Sequence, residues 1–515
     1  MGDRKRYWPS FGRTFVILGL SWLAILWLDP LGFITDARLK SQEIVAKLTA
    51  PFYGYKSQAY GQSKIAVVLI TDKTLEAEDE TFPLPLVKHR HYLEKIVEQA
   101  PAAVFVDLAF LGERYGEKLS DLTEPFANSN IPFFFAGGGP DEKMPLELKS
   151  HWAITAWEAP EGQYPLFEAE DQRRPTAAMA LYQSLCKSEA GCWDRRTRKH
   201  FYDQFYDNLV VQWGAVPAPQ QFYVSSVPTE CHLRGAEKGA VGWMSRFLEA
   251  LYLAADAIVP GLELDRRQPC FYALTIKAET LDHWNDTGDL RELLNGRVVL
   301  YGANVAGVPD LTYSTVHGKV PSVFMHAMAL DNLLTYGSHY YHEPRAWQPT
   351  LLDLVFGLIL ILIQSFIGGD APKGRRADET NEVSRDGFPP VVLLVVLWER
   401  GRTDTAVLSR LITVLSKSIT VLFRLITALS RSIKVSIDVM RRFFHLVILA
   451  VVLLDFALNQ IWLHWAVKNW LGSVIFIELG HVVAERFLPL HAKQGETKPH
   501  SHEPRKNQST SEARP

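Results

Sequence analysis

Four short apolar runs of this 515-residue chain are each followed by residues suited to binding or chemistry. Asp72, Asp107 and Asn304 lie just beyond three of the runs, and Asp310 follows in the loop after the last one. Carboxylate and amide groups orient polar ligands through hydrogen bonds. A structural role is the alternative for each residue alone, because an Asp after a strand often caps the next helix or turn. The runs are residues 64–70, 102–106, 131–136 and 297–301.

The runs themselves predict the elements that position these residues. Each is nearly continuous in apolar side chains, as strands buried on both faces must be. Residues 89–99, between the first two runs, and residues 323–334, after the last, have helical patterns. This alternation predicts an α/β extracytoplasmic domain with a mostly parallel sheet and helices on both faces. Residues 140–290 contain more Pro, Gly and Trp and are interpreted as a large insertion.

Strand ends that converge predict a shared binding site. In open α/β sheets, ligands bind in the crevice outside the carboxyl ends of the strands. We therefore predict that Asp72, Asp107, Asn304 and Asp310 line one cavity, with Arg90 at its rim. The carboxylates would orient a polar ligand, and Asn304 would offer a neutral donor and acceptor. No cofactor and no metal are predicted.

The chain lacks the motifs of common catalytic sites. It contains no GxSxG elbow, no Walker A loop, no HExxH and no GxGxxG after a strand. His326 lies on a predicted helix whose apolar face should pack on the sheet, so it is interpreted as a core histidine. We predict that the protein is not an enzyme, and an extracytoplasmic hydrolase remains the alternative.

Long apolar segments predict a four-span membrane protein, since about 20 residues are needed to cross a bilayer. Basic residues before the first segment place the N-terminus in the cytoplasm. A cleaved signal peptide is the alternative there, but no small-x-small site follows. The prediction is a multi-pass protein of the inner membrane with residues 36–346 outside. The predicted spans are residues 14–34, 350–367, 443–463 and 470–488, and the cytoplasmic segments are residues 1–13, 368–442 and the disordered tail 489–515.

The cysteines and the net charge agree with this division. All four cysteines, Cys186, Cys192, Cys231 and Cys270, lie in the predicted external segment, which suits an oxidising compartment and one or two disulfides. Pairing of Cys186 with Cys192 and of Cys231 with Cys270 is favoured, because the first closes a short loop. A zinc site is the alternative, without CxxC or HxxxH spacing to support it. A net charge of −3 argues against a nucleic-acid partner.

The predicted cytoplasmic segment contains an amphipathic helix at residues 405–442. Residues 410–423 and 424–437 repeat one pattern, with Ile and Leu at heptad positions that favour a two-stranded coiled coil and thus a homodimer. The apolar arc is wider than a coiled-coil seam, however, and the outward positions are basic. These features suit a helix on an anionic lipid surface, which we prefer slightly. The outward basic residues are Arg410, Lys417, Arg424 and Arg431.

The external segment resembles the type 2 CHASE family (cyclases/histidine kinases associated sensory extracellular). The similarity covers residues 36–136 and 290–346, and the flanking spans match it. Its most specific part is a strand, a small-residue turn, an Asp-Leu pair and a His-Ala helix in that order. The matching segments are IAVVLITDKTL (65–75), Phe82-Pro83-Leu84-Pro85 leading to Arg90-His91, VFVDLAF (104–110), GRVVLYGANVAGVPDLTYST (296–315) and MHAMALDNLL (325–334).

The resemblance implies an input module that senses a stimulus outside the cell and passes a signal through the membrane. Members of the family usually carry a cytoplasmic output domain, such as a nucleotide cyclase or a kinase. Only a short polar tail follows the last predicted span here, so we expect the output partner to be another cytoplasmic or membrane polypeptide. The stimulus would be a small molecule or a protein. The alternative is a membrane scaffold or transport-associated subunit that uses the domain for protein contacts.

Overall fold

The computed structural model describes residues 33–55, 60–110, 116–127, 129–137, 152–155, 162–168, 174–188, 205, 207–222, 224, 242–258, 271–284, 289–308 and 310–343. Within these residues, no helix is both long enough and apolar enough to cross a membrane. The predicted spans, apart from the last two residues of the first, lie outside the described residues. The cytoplasmic segments, including the amphipathic helix at 405–442, also lie outside them.

A six-stranded parallel sheet forms the centre of the domain. Its strands stand in the order β4-β3-β2-β8-β1-β7. The last strand of the sheet along the chain, β8, therefore separates β1 from β2. The strands are β1 (Ile65–Thr71), β2 (Ala103–Val106), β3 (Phe133–Gly137), β4 (Trp152–Ile154), β7 (Leu274–Lys277) and β8 (Val298–Asn304), with the antiparallel pairs β5 (Gln163–Tyr164) and β6 (Leu209–Val210), and β9 (Leu311–Ser314) and β10 (Gly318–Pro321).

Helices cover both faces of the sheet. In β1, Val67 belongs to a core cluster that includes residues of the helices Ala177–Ser188 and Ser322–Tyr336. Val68 belongs to a second cluster, which includes residues of the helices Leu86–Glu98, Leu119–Ala127 and Asp289–Leu294. Both valines are fully buried, as a strand covered on two faces requires. The helices are α1 (Phe33–Thr49), α2 (Tyr60–Lys64), α3 (Asp72–Glu78), α4 (Leu86–Glu98), α5 (Leu119–Ala127), α6 (Ala177–Ser188), α7 (Trp243–Ile258), α8 (Asp289–Leu294) and α9 (Ser322–Tyr336), with 3-10 turns at Pro219–Phe222, Ala278–Trp284 and Gly337–His339.

These elements confirm the predicted α/β fold with its mostly parallel sheet. All four apolar runs form strands, and both predicted helices are present. The helix predicted at residues 89–99 begins earlier, at Leu86, because the side chain of Glu117 accepts the backbone N–H of Leu86 at 2.6 Å. A carboxylate at this position satisfies an N-terminal donor and complements the helix dipole.

The interpretation of residues 140–290 as an insertion needs correction. This region supplies β4 and β7, which are the two edge strands of the central sheet. It also supplies α6, whose residues Ala177 to Tyr182 are buried in the core against the sheet. The region is therefore an integral part of the domain, although its composition differs from that of its surroundings.

Candidate functional site

A cavity of about 390 Å³ lies beyond the carboxyl ends of β2, β3 and β8. Its walls are mainly apolar and come from the segment before α4 and from the residues that follow β2 and β8. Such volumes and such walls, with a few polar groups, are typical of small-molecule sites. The polar side chains that line it are His89, Asp107, Thr155 and Asp310.

Asp107 is the first residue beyond β2 and is 7% exposed. Its backbone N–H donates to the carbonyl of Tyr301 at 2.7 Å, which continues the pairing between β2 and β8 past the end of the strand. Its Oδ2 accepts the Ser322 hydroxyl at 2.8 Å, and its Oδ1 lies 3.5 Å from Nε2 of His326. The start of α9 thus holds this carboxylate at the cavity wall.

His326 extends the Asp107 contact into the core. It is 2% exposed, and its Nδ1 lies 2.8 Å from the Tyr164 hydroxyl. The Tyr164 oxygen accepts the Ala178 N–H at 3.0 Å, so the phenol proton is directed at Nδ1. Burial raises the pKa of Tyr164, so this proton is retained at neutral pH. In a neutral imidazole the remaining proton is then on Nε2, facing Asp107.

Asp310 brings a second carboxyl to the same wall. Its pKa is raised, chiefly by burial and then by the Asp107 carboxyl, while a hydrogen bond with Ser322 and the proximity of His326 oppose the rise. The Ser322 backbone N–H also donates to the Asp310 carbonyl at 3.2 Å. Two carboxyls therefore flank one serine at the cavity.

His89 is a cavity residue that the sequence analysis did not select. It is 3% exposed on α4, and its Nδ1 lies 3.1 Å from the Tyr301 hydroxyl. Its ring meets the edge of Phe110, with centroids 5.3 Å apart. The sequence contains a signal for it, since residues 86, 89, 93 and 96 follow helical spacing and all four are buried.

The structure brings together two of the five predicted ligand-binding residues, Asp107 and Asp310. Asp72 is the first residue of α3, and its Oδ1 accepts the Ala306 N–H at 3.1 Å. Arg90 pairs with Glu94 on α4 at 2.8 Å. Asn304 is exposed and follows Ala303, which lines the cavity, and successive side chains of a strand point to opposite faces.

Asp72, Arg90 and Asn304 are thus not among the described cavity-lining residues. Their role in ligand binding stays a prediction. Asp72 and Arg90 instead make structural contacts, of the kind that an Asp at a helix start and an Arg on a helix surface commonly make.

Metal-ligand groups and cysteines are the other features that bear on the chemistry of the domain. In the described ranges, no group of three or more His, Cys, Asp or Glu residues is arranged to hold a metal ion. Cys186, near the end of α6, is disulfide-bonded. The other three cysteines lie outside the described residues, so the predicted pairing stays a prediction.

The fold and the cavity define an α/β domain with a site of small-molecule size at the carboxyl edge of a parallel sheet. The family model of the CHASE2 domain matches residues 15–369. The chain therefore belongs to the CHASE2 family, which is a family of extracytoplasmic sensory domains. No curated protein and no solved structure matches the chain.

Proposed function

We propose that this protein is a membrane sensor whose extracytoplasmic domain binds a small-molecule stimulus in the cavity beyond β2, β3 and β8. Its output would be a separate cytoplasmic or membrane polypeptide. The cavity carries the proposal, because it combines a volume of about 390 Å³ with largely apolar walls and two carboxyls. Membership of a sensory family supports a binding role.

Contacts of α1 support a connection between the cavity domain and the membrane. This helix begins at Phe33, within the last two residues of the predicted first span. Lys47 near its end pairs with Asp256 of α7 at 2.9 Å, and Arg246 of α7 donates to the carbonyl of Pro51 just beyond it. A shift of α7 would therefore be transmitted to α1, and α1 would serve as the two-state element that coupling requires.

The cavity assignment is tested by blocking the cavity from its exposed side. Ala109 lines the cavity and is exposed, so Ala109→Trp should fill the cavity without disturbing the core. Compounds that stabilise the purified full-length chain against heat should lose this effect in the variant. Saturation at about 100 times the dissociation constant contributes roughly 2.7 kcal/mol, which a thermal-shift measurement resolves. Equal stabilisation of the variant and the natural chain would refute the cavity as the stimulus site.

The membrane arrangement is tested by reporter fusions. A periplasmic reporter fused after Lys56 or Pro165 should be active, and one fused after Lys373 or Arg402 should be silent. The opposite pattern would refute the sensor topology. The fusion points after Lys56 and Pro165 follow one predicted span, and those after Lys373 and Arg402 follow two, so the pattern tests the first two spans individually.

One observation favours a second candidate, in which the domain serves protein contacts. Helix α7 presents apolar side chains to solvent, and exposed apolar patches often mark interaction sites. The proposal of a scaffold or transport-associated subunit would gain support if an α7 variant such as Leu248→Glu abolished function while Ala109→Trp did not. The exposed side chains are Trp243, Met244, Phe247, Leu248 and Leu251, which are 38–60% exposed.

A further inference from the structure

We propose that the cavity binds a small molecule with a positively charged amine on a compact apolar body, and that the amine lies between Asp107 and Asp310. This inference rests on the proposed function, because it assigns a ligand class to the same cavity. It concerns the chemistry of the stimulus, which the family does not define.

The charge of the cavity wall is the first argument. Asp107 contacts a hydroxyl and an imidazole, and Asp310 contacts the same hydroxyl. Among the described residues, no Lys or Arg lines the cavity or pairs with either carboxyl. A buried carboxylate is costly unless a charge or several donors accompany it. An ammonium group supplies both, since it carries three N–H donors and a positive charge.

The mutual influence of the two carboxyls is the second argument. Burial and then the Asp107 carboxyl raise the pKa of Asp310, against the opposing effects of Ser322 and His326, as happens when two acids lie close together in a partly buried site. A positive charge on the ligand would offset the repulsion between the two carboxylates, as a proton on Asp310 does. Two carboxyls provide fewer ligands than Ca²⁺ or Zn²⁺ usually takes, and the described residues contain no larger group of metal ligands. The arrangement therefore favours an organic cation.

The size and the walls of the cavity define the rest of the ligand. A volume of about 390 Å³ corresponds to roughly 13 water molecules at about 30 Å³ each. A ligand of about ten non-hydrogen atoms would therefore fit in the cavity. Phe82, Leu84 and Phe110 also line the cavity and suit an apolar or aromatic body.

Three probes of nearly equal shape separate charge from size. We would measure thermal stabilisation of the purified full-length chain at pH 7.5 by 2-phenylethylamine, 2-phenylethanol and 3-phenylpropionate. The amine should bind at least tenfold more tightly than the alcohol, and the acid should give no shift. Equal binding of amine and alcohol, preference for the acid or absence of any amine-induced shift would each overturn the inference.

Charge-neutral variants locate the amine. Asp310→Asn should weaken amine binding at least tenfold and change alcohol binding much less, and Asp107→Asn provides a second variant in case the first folds poorly. Asp79→Asn is the matched control, because Asp79 is exposed at the C-terminal end of α3 and its left-handed backbone suits Asn. Unchanged amine binding in both cavity variants would overturn the inference.

The cavity-blocking variant separates this inference from the proposed function. If Ala109→Trp abolishes binding of the alcohol and of other compounds while the amine has no advantage, the cavity stands and the ligand class is wrong. If Ala109→Trp leaves amine binding intact, the amine binds elsewhere, and both the ligand class at this cavity and the cavity as stimulus site are wrong.

Discussion

Replacement of Asp331 by Asn should remove the contribution of Asp331 to the pH dependence of stability between about pH 4 and pH 7. Asp331 lies on α9, is 1% exposed and accepts the Tyr53 hydroxyl through Oδ2. Its Oδ1 has no hydrogen-bond partner among the described residues. Burial raises the pKa of Asp331 from 3.8 to about 7, although the Tyr53 hydrogen bond opposes this rise.

The magnitude follows from linkage between protonation and folding. A pKa raised by about 3 corresponds to about 4 kcal/mol, at about 1.4 kcal/mol for each tenfold change. Because the folded state binds the proton more tightly, this contribution is fully present below about pH 4. It is lost as the pH rises through about 7. Neighbouring Tyr53, Tyr272 and Tyr336 all have raised pKa values and stay neutral throughout this window.

The assay compares free energies of unfolding of the natural chain and of Asp331→Asn at pH 4.5, 5.5, 6.5 and 7.5. Asn keeps an acceptor for Tyr53 and does not titrate, so the variant should gain about 3 kcal/mol relative to the natural chain from pH 4.5 to pH 7.5, because about 1 kcal/mol is already lost at pH 4.5. Asp310 also has a raised pKa, but it is present in both proteins and cancels in the comparison.

A constant difference between the two proteins from pH 4.5 to 7.5 would refute the reasoning. Asp79→Asn serves again as the control, because it removes the same formal charge from an exposed position. It should change stability by no more than about 0.5 kcal/mol at each pH.

Three further predictions concern packing, a buried hydrogen bond and the cysteines. Gly302→Ala should destabilise the domain by about 1–3 kcal/mol in chemical denaturation, because the new Cβ would lie 2.8 Å from Cβ of Val323 on α9. Gly242→Ala is the control, since its new Cβ meets open space and the variant should be nearly neutral. Tyr301→Phe should cost about 1 kcal/mol in the same assay, since it removes the hydroxyl that contacts His89; an unchanged stability would contradict that contact. When the unfolded chain is alkylated, the reduced sample should carry at least two more alkyl groups than the unreduced sample, because Cys186 is disulfide-bonded. Full alkylation without reductant would contradict the bond.

The central strands could be predicted from the sequence because they are buried on both faces. Residues 64–70 and 297–301 have no polar side chain in their interior, so period and composition alone identify them as strands. The edge strands could not be found in this way. Strand β4 has three residues and β7 has four, and β7 alternates between buried and half-buried positions. Runs this short are indistinguishable from loop sequence without their partners.

A cavity lies at the edge of the sheet that the sequence indicates, and two of the five selected residues line it, while ligand binding there stays a prediction. Strand ends indicate an edge of the sheet, which is where the cavity lies. Whether a side chain at that edge faces the cavity depends on the strand order and on the loop that follows. Asp107 and Asp310 face it, whereas Asp72 is occupied by the Ala306 N–H. The contact of Ser322 with Asp107 joins residues 215 positions apart, which no local pattern contains.

The position of β8 has a consequence for how the domain is made. β1 and β2 both pair with β8 and have no pairing with each other in the sheet. Until residues 298–304 have been synthesised, each of these early strands keeps one open edge. Open strand edges pair with other chains, and late long-range pairing slows folding. A nascent or truncated chain that ends before β8 should therefore depend on chaperones and be degraded rapidly, so that the last strand would act as a checkpoint on complete synthesis.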